Sequence, residues 1–161
     1  TLVNNAGVFI GKPFTDYTTD DYQLAVNVNV TGFFLMTQRV IPEMLKGGGG
    51  HVVCISTSMV DHAHSDSPAL LATLTKGGLV AATKSLAIEY ASRGIRANAV
   101  SLGVIQTPLN PPEAFKELAK LHPMGRVGQV SDVVGGILYL ESAQFVTGEI
   151  LHIDGGQSAG L

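Results

Sequence analysis

The sequence predicts an α/β fold, a doubly wound parallel sheet with helices on its two faces. Two observations lead to this prediction. Short apolar, β-prone runs alternate with longer stretches of helical periodicity in the order β-α-β-α-β-α-β. Several of the apolar runs end in turns of small or polar residues. Ligands of such folds bind beyond the carboxyl ends of the strands, so we expect a crevice at residues 5–7, 56–58 and 103–107.

Four predicted strands share apolar and β-branched residues bounded by glycine or polar turns. They cover residues 2–3, 51–55, 95–101 and 149–153. The first is a short run before a turn at 4–7, and the second is apolar throughout, as buried parallel strands are. The third alternates and is β-prone, and the fourth ends in a turn at 154–156. Helical connections between the strands predict right-handed crossovers.

The predicted helices carry apolar residues at helical spacing. They cover residues 20–45, 70–90, 112–121 and 132–140. The first begins at a polar cap cluster, is expected to bend near 27–32, and ends at four glycines at 47–50. We interpret these glycines as a connector, because no Lys-Ser/Thr pair of a phosphate loop follows them. The second helix has one charge in its first two turns, Lys76, in apolar surroundings. The segment 102–121 is expected to be a mobile lid.

Composition limits the kind of protein. The 161 residues predict one domain, and 45% hydrophobic residues predict well-covered helices or oligomer contacts. A net charge of −3 gives no reason to expect nucleic-acid binding. No apolar run is long enough to span a membrane and no signal peptide is visible, so we expect a cytoplasmic protein. The single cysteine, Cys54, is expected in the core. Because Thr1 lies inside an apolar strand, we expect an N-terminally truncated fragment.

Seven short motifs occur along the chain in a fixed order. They are Asn-Asn-Ala-Gly at 4–7, Val-Asn-Val-Thr-Gly at 28–32, Val-Cys-Ile-Ser-Thr-Ser at 53–58, Thr-Lys-Gly-Gly-Leu at 75–79, Gly-Ile-Arg-Ala-Asn-Ala-Val-Ser at 94–101, Leu-Gly-Val-Ile-Gln-Thr-Pro at 102–108, and Phe-Val-Thr-Gly with Ile-Asp-Gly-Gly at 145–148 and 153–156. Together they resemble the short-chain dehydrogenase/reductase family over nearly the whole chain. The resemblance implies a single Rossmann-like domain over residues 1–161.

The resemblance also implies a reaction, hydride exchange between NAD or NADP and an alcohol or ketone. The catalytic residues carried over from the motifs are Asn29, Ser58 (with Thr57 as the alternative) and Lys76. In the family a tyrosine lies four residues before the lysine, and here that position is Ala72. The lysine lowers the pKa of the phenol and holds the nicotinamide ribose. The serine polarises the carbonyl and the asparagine positions the lysine through a water.

The implied cofactor-binding residues lie at the ends of the first and third strands and on the second helix. They are Asn4, Ala6, Gly7, Lys76, Gly103, Val104, Ile105 and Thr107. Leu102 replaces the proline that begins the family's cofactor loop. The family's glycine-rich phosphate turn and its NAD or NADP selector are not in this sequence. We therefore expect very weak dinucleotide binding, weaker than micromolar binding in a calorimetric titration.

The missing phenol predicts activity reduced roughly 10²- to 10⁴-fold, the usual contribution of a positioned acid or base. The hydroxyls of Ser67, Thr73 and Thr75 have pKa values too high to replace it. Mostly apolar pocket candidates indicate a small alcohol or ketone substrate. The resemblance implies a homodimer or homotetramer formed through helices 20–45 and 70–90.

Other functions stay open at this point. A chain without the tyrosine is also consistent with a non-catalytic dimerising subunit or a decayed fragment. Ser58 with Lys76 allows a Ser-Lys hydrolase dyad, although no Gly-x-Ser-x-Gly elbow is present. His62 and His64 share a side of an extended loop, but no third ligand cluster lies near them in sequence. We therefore expect no metal site there.

Overall fold

Four parallel strands form one sheet in the order β1-β2-β3-β4, in a computed structural model that describes residues 1–160. The strands are β1 Leu2–Asn4, β2 Gly50–Thr57, β3 Ile95–Leu102 and β4 Ile150–Ile153. The register pairs Val53 with Asn98 and Val100 with Leu151. The predicted α/β sheet is confirmed. β2 and β3 end later than predicted because the ladder continues through the pairs Ser56 with Ser101 and Thr57 with Leu102.

The helices cover most of the predicted helical segments. They are α1 Thr19–Ala25, α2 Gly32–Lys46, α3 Leu70–Tyr90, α4 Phe115–Leu118 and α5 Val130–Ser142. A π-helical segment, Val26–Thr31, joins α1 to α2 where the sequence predicts a bend. α3 has the predicted bounds. No helix within residues 1–160 is both long and apolar enough to cross a lipid bilayer.

Local hydrogen bonds explain where two helical segments begin and end. Thr18 caps α1, because its hydroxyl accepts the Asp21 N–H at 3.1 Å and the Asp21 carboxylate accepts the Thr18 N–H at 2.9 Å. The predicted helix at 112–121 forms only as α4 between two 3₁₀ turns, Pro112–Ala114 and Ala119–Leu121. None of its residues is buried, so packing does not extend the α-helix.

Helices lie on both faces of the sheet. α2 and α3 pack on one face through buried apolar residues, which are Phe33, Ile41, Met44, Val52, Cys54, Leu79, Ala87, Ile95, Ala97 and Ala99. α5 packs on the other face, where Leu140 contacts the cluster of Val53, Ile55 and Val100. Cys54 is in the core, as predicted, and burial raises the pKa of its thiol to about 12. The doubly wound arrangement is therefore present.

The three crossovers do not share one hand. Successive strands always add on the same side of the preceding strand, yet α5 covers the opposite face from α2 and α3. The hand of a crossover is set by its direction across the sheet and by the face it covers. The connection through α5 therefore has the opposite hand to the other two. The expectation of right-handed crossovers throughout does not hold for all three connections.

The glycine connector before β2 packs against Gly94, which follows α3. Gly48 and Gly49 have positive φ values of 86° and 146°. A Cβ at Gly49 would lie 2.6 Å from the Gly94 carbonyl oxygen. Glycine is therefore required at Gly49 by both conformation and space. Gly47 and Gly48 form a turn and Gly50 begins β2, in keeping with the interpretation of the glycines as a connector.

Arg96 fastens the C-terminal end of α5 to β3. Its Nη1 donates to the carbonyl oxygens of Leu140 at 2.8 Å and Val146 at 3.0 Å, and its Nη2 donates to that of Glu141 at 3.0 Å. The Leu140 and Glu141 carbonyls lie at the negative end of the α5 dipole, where a cation is favourable. One guanidinium thus closes both the helix end and the turn before β4.

We predict that Arg96→Ala lowers the free energy of unfolding by about 2–3 kcal/mol, because hydrogen bonds from a charged donor to partly buried carbonyls are lost. Chemical denaturation followed by circular dichroism measures the change. The matched control is Arg93→Ala, which removes an exposed guanidinium stacked on Tyr90 and 3.9 Å from Glu89. That variant is expected to lose less than about 1 kcal/mol. Equal losses in the two variants would contradict the account.

Candidate active site

The candidate site lies beyond the carboxyl ends of the parallel strands, where the turns after β1, β2 and β3 meet. Side chains from the π-helical segment and from α3 reach the same edge. This is the place that strand direction alone predicts for a ligand.

Asn29 connects the turn after β1 to α3. It is 2% exposed and lies within the π-helical segment. Its Oδ1 accepts the Val8 N–H at 2.8 Å, and its Nδ2 donates to the Val8 carbonyl at 3.1 Å and to Thr75 Oγ1 at 3.0 Å. All of these contacts hold one amide in one orientation. π-Helical turns are frequent at functional sites, and this one aims Asn29 at the strand end.

Lys76 brings its ammonium to the same point. A Cβ built on Gly7 would lie 3.7 Å from Lys76 Nζ and 3.4 Å from Asn29 Oδ1. Gly7 is exposed, so the absent side chain leaves an opening above the amide and the ammonium. Burial lowers the pKa of the Lys76 ammonium. None of the hydrogen bonds or salt bridges within residues 1–160 engages its Nζ.

Position 72 supplies no group that exchanges a proton. Ala72 is 2% exposed and lies one helical turn before Lys76. The hydroxyls beside it are occupied by the helix itself, because Thr73 Oγ1 donates to the Ala69 carbonyl at 3.1 Å and Thr75 Oγ1 to that of Leu71 at 2.7 Å. These threonines therefore do not replace a phenol.

Ser58 begins a 3₁₀ turn directly after β2 and is 1% exposed. Its hydroxyl donates to Gln157 Oε1 at 3.0 Å, and Gln157 Nε2 donates to His64 Nε2 at 3.1 Å. The alternative, Thr57, caps that turn and accepts the Met59 N–H at 3.4 Å. No local sequence pattern indicates the Gln157 contact, because it joins residues 99 positions apart.

The turn after β3 is held from several sides. The Gly103 N–H donates to the Ile153 carbonyl at 3.1 Å, and the Gly128 N–H donates to that of Val104 at 2.9 Å. Ile105 forms a parallel bridge with Gly128. Thr107 Oγ1 accepts the Leu109 N–H at 3.4 Å. We call residues 103–107, which the sequence predicts to bind the cofactor, the cofactor loop.

The turn after β1 is the second part of the predicted cofactor edge. Asn4 Nδ2 donates to Thr37 Oγ1 at 3.1 Å, which ties the strand end to α2. The Asn5 N–H donates to the Val3 carbonyl at 3.0 Å. Ala6 and Gly7 follow and are exposed. The exposed backbone of this turn therefore lies beside the Lys76 ammonium.

Comparison with known proteins identifies the family. A family model described as enoyl-(acyl carrier protein) reductase matches residues 1–158. The chain belongs to the short-chain dehydrogenase/reductase family. It is 37% identical over 160 residues to the 3-oxoacyl-[acyl-carrier-protein] reductase FabG of Thermotoga maritima. The match covers 96% of this chain and 64% of that protein.

Other members of the family give the same result. The chain is 37% identical over 166 residues to a glucose and ribitol dehydrogenase homolog of Oryza sativa subsp. japonica, covering 96% of this chain and 55% of that protein. The structure of ElxO with NADP bound superposes with a TM-score of 0.91 at 32% identity, covering 99% of this chain and 67% of that one. The chain thus spans a little over half to two thirds of the length of these short-chain dehydrogenase/reductase relatives.

Two of the cavities in the described part of the short-chain dehydrogenase/reductase fold lie near the strand ends. One, of about 560 Å³, lies at the start of α3 and is lined mainly by apolar groups, among them Met59, Pro68 and Leu70. The other, of about 440 Å³, lies between the cofactor loop and the turn after β4.

His62 and His64 stack edge to face, with their ring centroids 5.1 Å apart. Across residues 1–160, no group of three or more His, Cys, Asp or Glu side chains is arranged to hold a metal ion.

We predict that Lys76→Met raises the free energy of unfolding at pH 7 by about 1 kcal/mol, because a poorly satisfied polar group leaves the interior. In the native protein the lowered pKa means that the folded state binds fewer protons than the unfolded state. Stability therefore rises with pH from that lowered pKa up to the ordinary value for lysine of about 10.4. Lys76→Met is expected to lose this rise.

The control for Lys76→Met is Lys84→Met, on the exposed side of the same helix. Denaturation midpoints between pH 6 and 10 measure both variants. Lys84→Met is expected to follow the parent protein at every pH. Destabilisation by Lys76→Met would show that the lysine is a structural contact, which the account excludes.

Proposed function

We propose that this chain carries the nicotinamide-binding and substrate-binding part of an NAD(P)-dependent short-chain dehydrogenase/reductase that acts on an alcohol or ketone. We further propose that its turnover is slow or absent because Ala72 occupies the tyrosine position. The observation that carries the proposal is the partly buried Lys76 ammonium, which faces the opening at Gly7 and has a methyl group one turn before it.

The residues present fit a nicotinamide nucleoside. The opening at Gly7 brings a ligand within reach of Asn29 and Lys76, and the Lys76 ammonium has donors free for ribose hydroxyls. The structure of ElxO, which superposes on this chain, has NADP bound, and this supports a nicotinamide dinucleotide as the cofactor. When bound, the nicotinamide supplies the hydride acceptor or donor. NAD and NADP both remain candidates.

The chain's own residues perform a part of the expected chemistry. Lys76 holds ribose hydroxyls and places a positive charge under the site. Ser58 presents a hydroxyl at the end of β2, where it polarises a substrate oxygen once it is released from Gln157. Asn29 fixes the turn at Val8 and orients Thr75. No residue transfers the proton of the substrate hydroxyl, since the methyl group of Ala72 cannot donate or accept a proton.

Substrate class and assembly are parts of the same proposal. The mainly apolar cavity at the start of α3 supports a small alcohol or ketone in preference to a charged substrate. Exposed apolar side chains on α2 and α3 support a homodimer or homotetramer formed through these helices. They include Phe34 at 57%, Met36 at 51%, Leu74 at 57% and Ile88 at 83% exposure.

A non-catalytic dimerising subunit is the alternative, and the same substitution at position 72 favours it. Loss of the proton donor with retention of apolar helix faces is what such a subunit would show. The two functions differ in whether restoring a phenol restores turnover.

We predict that Ala72→Tyr raises NADH-dependent or NADPH-dependent ketone reduction roughly 10²- to 10⁴-fold over the parent chain, because a phenol beside Lys76 supplies the missing proton. The assay follows oxidation of the reduced nucleotide at millimolar concentration with a panel of small ketones. Ala72→Phe is the matched control, since it adds the ring without the hydroxyl and is expected to stay at the parent rate.

Folding of both variants is checked by circular dichroism, and their assembly by light scattering. A folded Ala72→Tyr protein with no gain over Ala72→Phe would contradict the enzymatic proposal. If that protein is also a dimer, the non-catalytic alternative is the better account.

A further inference from the structure

His122 lies where three segments of the chain meet, and both of its ring nitrogens are engaged. His122 is 3% exposed. The Val104 N–H donates to Nε2 at 3.0 Å, and Nδ1 lies 3.1 Å from the Leu118 carbonyl oxygen. An N–H donor requires an acceptor at Nε2, and a carbonyl requires a donor at Nδ1. The contacts therefore fix His122 as a neutral ring with its proton on Nδ1.

Two glycines make room for this ring. A Cβ at Gly103 would lie 2.6 Å from His122 Nε2, and a Cβ at Gly155 would lie 3.1 Å from His122 Cβ. Gly155 also has a φ of 61°, which favours glycine. The ring thus fills a space between the cofactor loop and the turn after β4. It joins both to residues 112–121, the helical part of the lid expected over 102–121, which we call the lid segment.

We propose that His122 is a proton-operated latch, which fastens the lid segment to the cofactor loop while the ring is neutral and releases it when the ring is protonated. A second proton on Nε2 would point at the Val104 N–H. Two donors cannot share a hydrogen bond, so the contact at Val104 breaks and the ring has to turn or leave.

The charged groups around the ring do not offer the cation an easy partner. Asp154 already accepts the N–H groups of Gly156 and Ser158 and the Ser158 hydroxyl. Arg126 and Asp132, across the cavity, are paired with each other at 2.8 Å. The remaining titratable neighbours are His152, which is bonded to Asp61 at 3.0 Å, and His64. Protonation therefore leaves a cation in a largely enclosed place.

The direction of the pH dependence follows from this environment. Burial lowers the pKa of His122 below its ordinary value, although the Leu118 carbonyl and Asp154 oppose the effect. The released ring is expected to titrate near pH 6.5, as histidine ordinarily does. The latched form is therefore fully favoured above about pH 6.5. As the pH falls below that value, the ratio of latched to released forms drops up to about tenfold per pH unit, until the latched ring also protonates.

The latch has a functional meaning only if the cofactor loop binds nicotinamide, which rests on the proposed function. In that case neutral pH keeps Val104 and Ile105 in place beside the nicotinamide, and acid opens this side of the site. The latch itself is a property of the free chain and is measured without any nucleotide. A failed activity test and a failed latch test are thus distinguishable.

Hydrogen–deuterium exchange between pH 5 and 8, corrected for intrinsic exchange rates, tests the latch. Protection of the lid segment and of Val104 is expected to fall up to about tenfold per pH unit below 6.5. His122→Gln is expected to remove this dependence, because a glutamine oxygen accepts the Val104 N–H at any pH. His152→Gln is the matched control, since His152 lines the same cavity and is expected to leave the dependence unchanged.

Amides of β2 report global unfolding, and the other buried histidine, His51, lies at the opposite end of the sheet. Lid protection that does not change with pH while β2 stays protected would overturn the latch. An unchanged pH dependence in His122→Gln would also overturn it. If that variant does not fold, nitrogen NMR of the parent protein decides, and a proton on Nε2 at pH 7.5 rejects the proposal.

Discussion

The unpartnered ammonium of Lys76 is the constraint on which the site depends. Desolvating a cation without a partner is unfavourable, so the rest of the structure has to hold it in place. α3 is fixed to the sheet by Leu79 and Ala87, and Asn29 binds Thr75 one residue before the lysine. Such an arrangement stores an unfavourable interaction at one point and offsets it by packing elsewhere. This is the usual sign of a functional group.

The buried histidines differ from Lys76, because both ring nitrogens of each histidine have hydrogen-bond partners. His51 contacts Glu141 through Nδ1 at 2.7 Å and Asn98 through Nε2 at 3.0 Å, and His122 is engaged at both nitrogens. Within the described part of the chain, Ser101 Oγ is the one fully buried side-chain nitrogen or oxygen atom without a hydrogen-bond partner. Histidines with fixed tautomers stabilise the two ends of the sheet, whereas the lysine leaves its donors available. The hydroxyl groups of the proposed nicotinamide ribose would satisfy them.

Periodicity and strand direction made most of the fold predictable. α3 has the predicted bounds because apolar spacing continues without interruption from Leu70 to Tyr90. The parallel sheet was predicted from short apolar runs between helices. The placement of Asn29 beside Lys76 was implied by the family resemblance. The contacts of Ser58 with Gln157, the tautomer of His122 and the opposite hand of the crossover through α5 were not predictable. They depend on tertiary packing between segments that are distant in sequence and carry no local pattern.

The most direct measurement is NMR of the side-chain Cε–Hε groups of lysine, with the Lys76 signal assigned from its absence in Lys76→Met. Reduced nicotinamide mononucleotide is added to the parent chain at millimolar concentration. The Lys76 signal is expected to titrate below the ordinary pKa of lysine, about 10.4, and to shift on adding the nucleotide, while the signals of Lys46 and Lys84 do not shift on adding it. A Lys76 signal that titrates at that ordinary value and does not shift with the nucleotide would contradict the account.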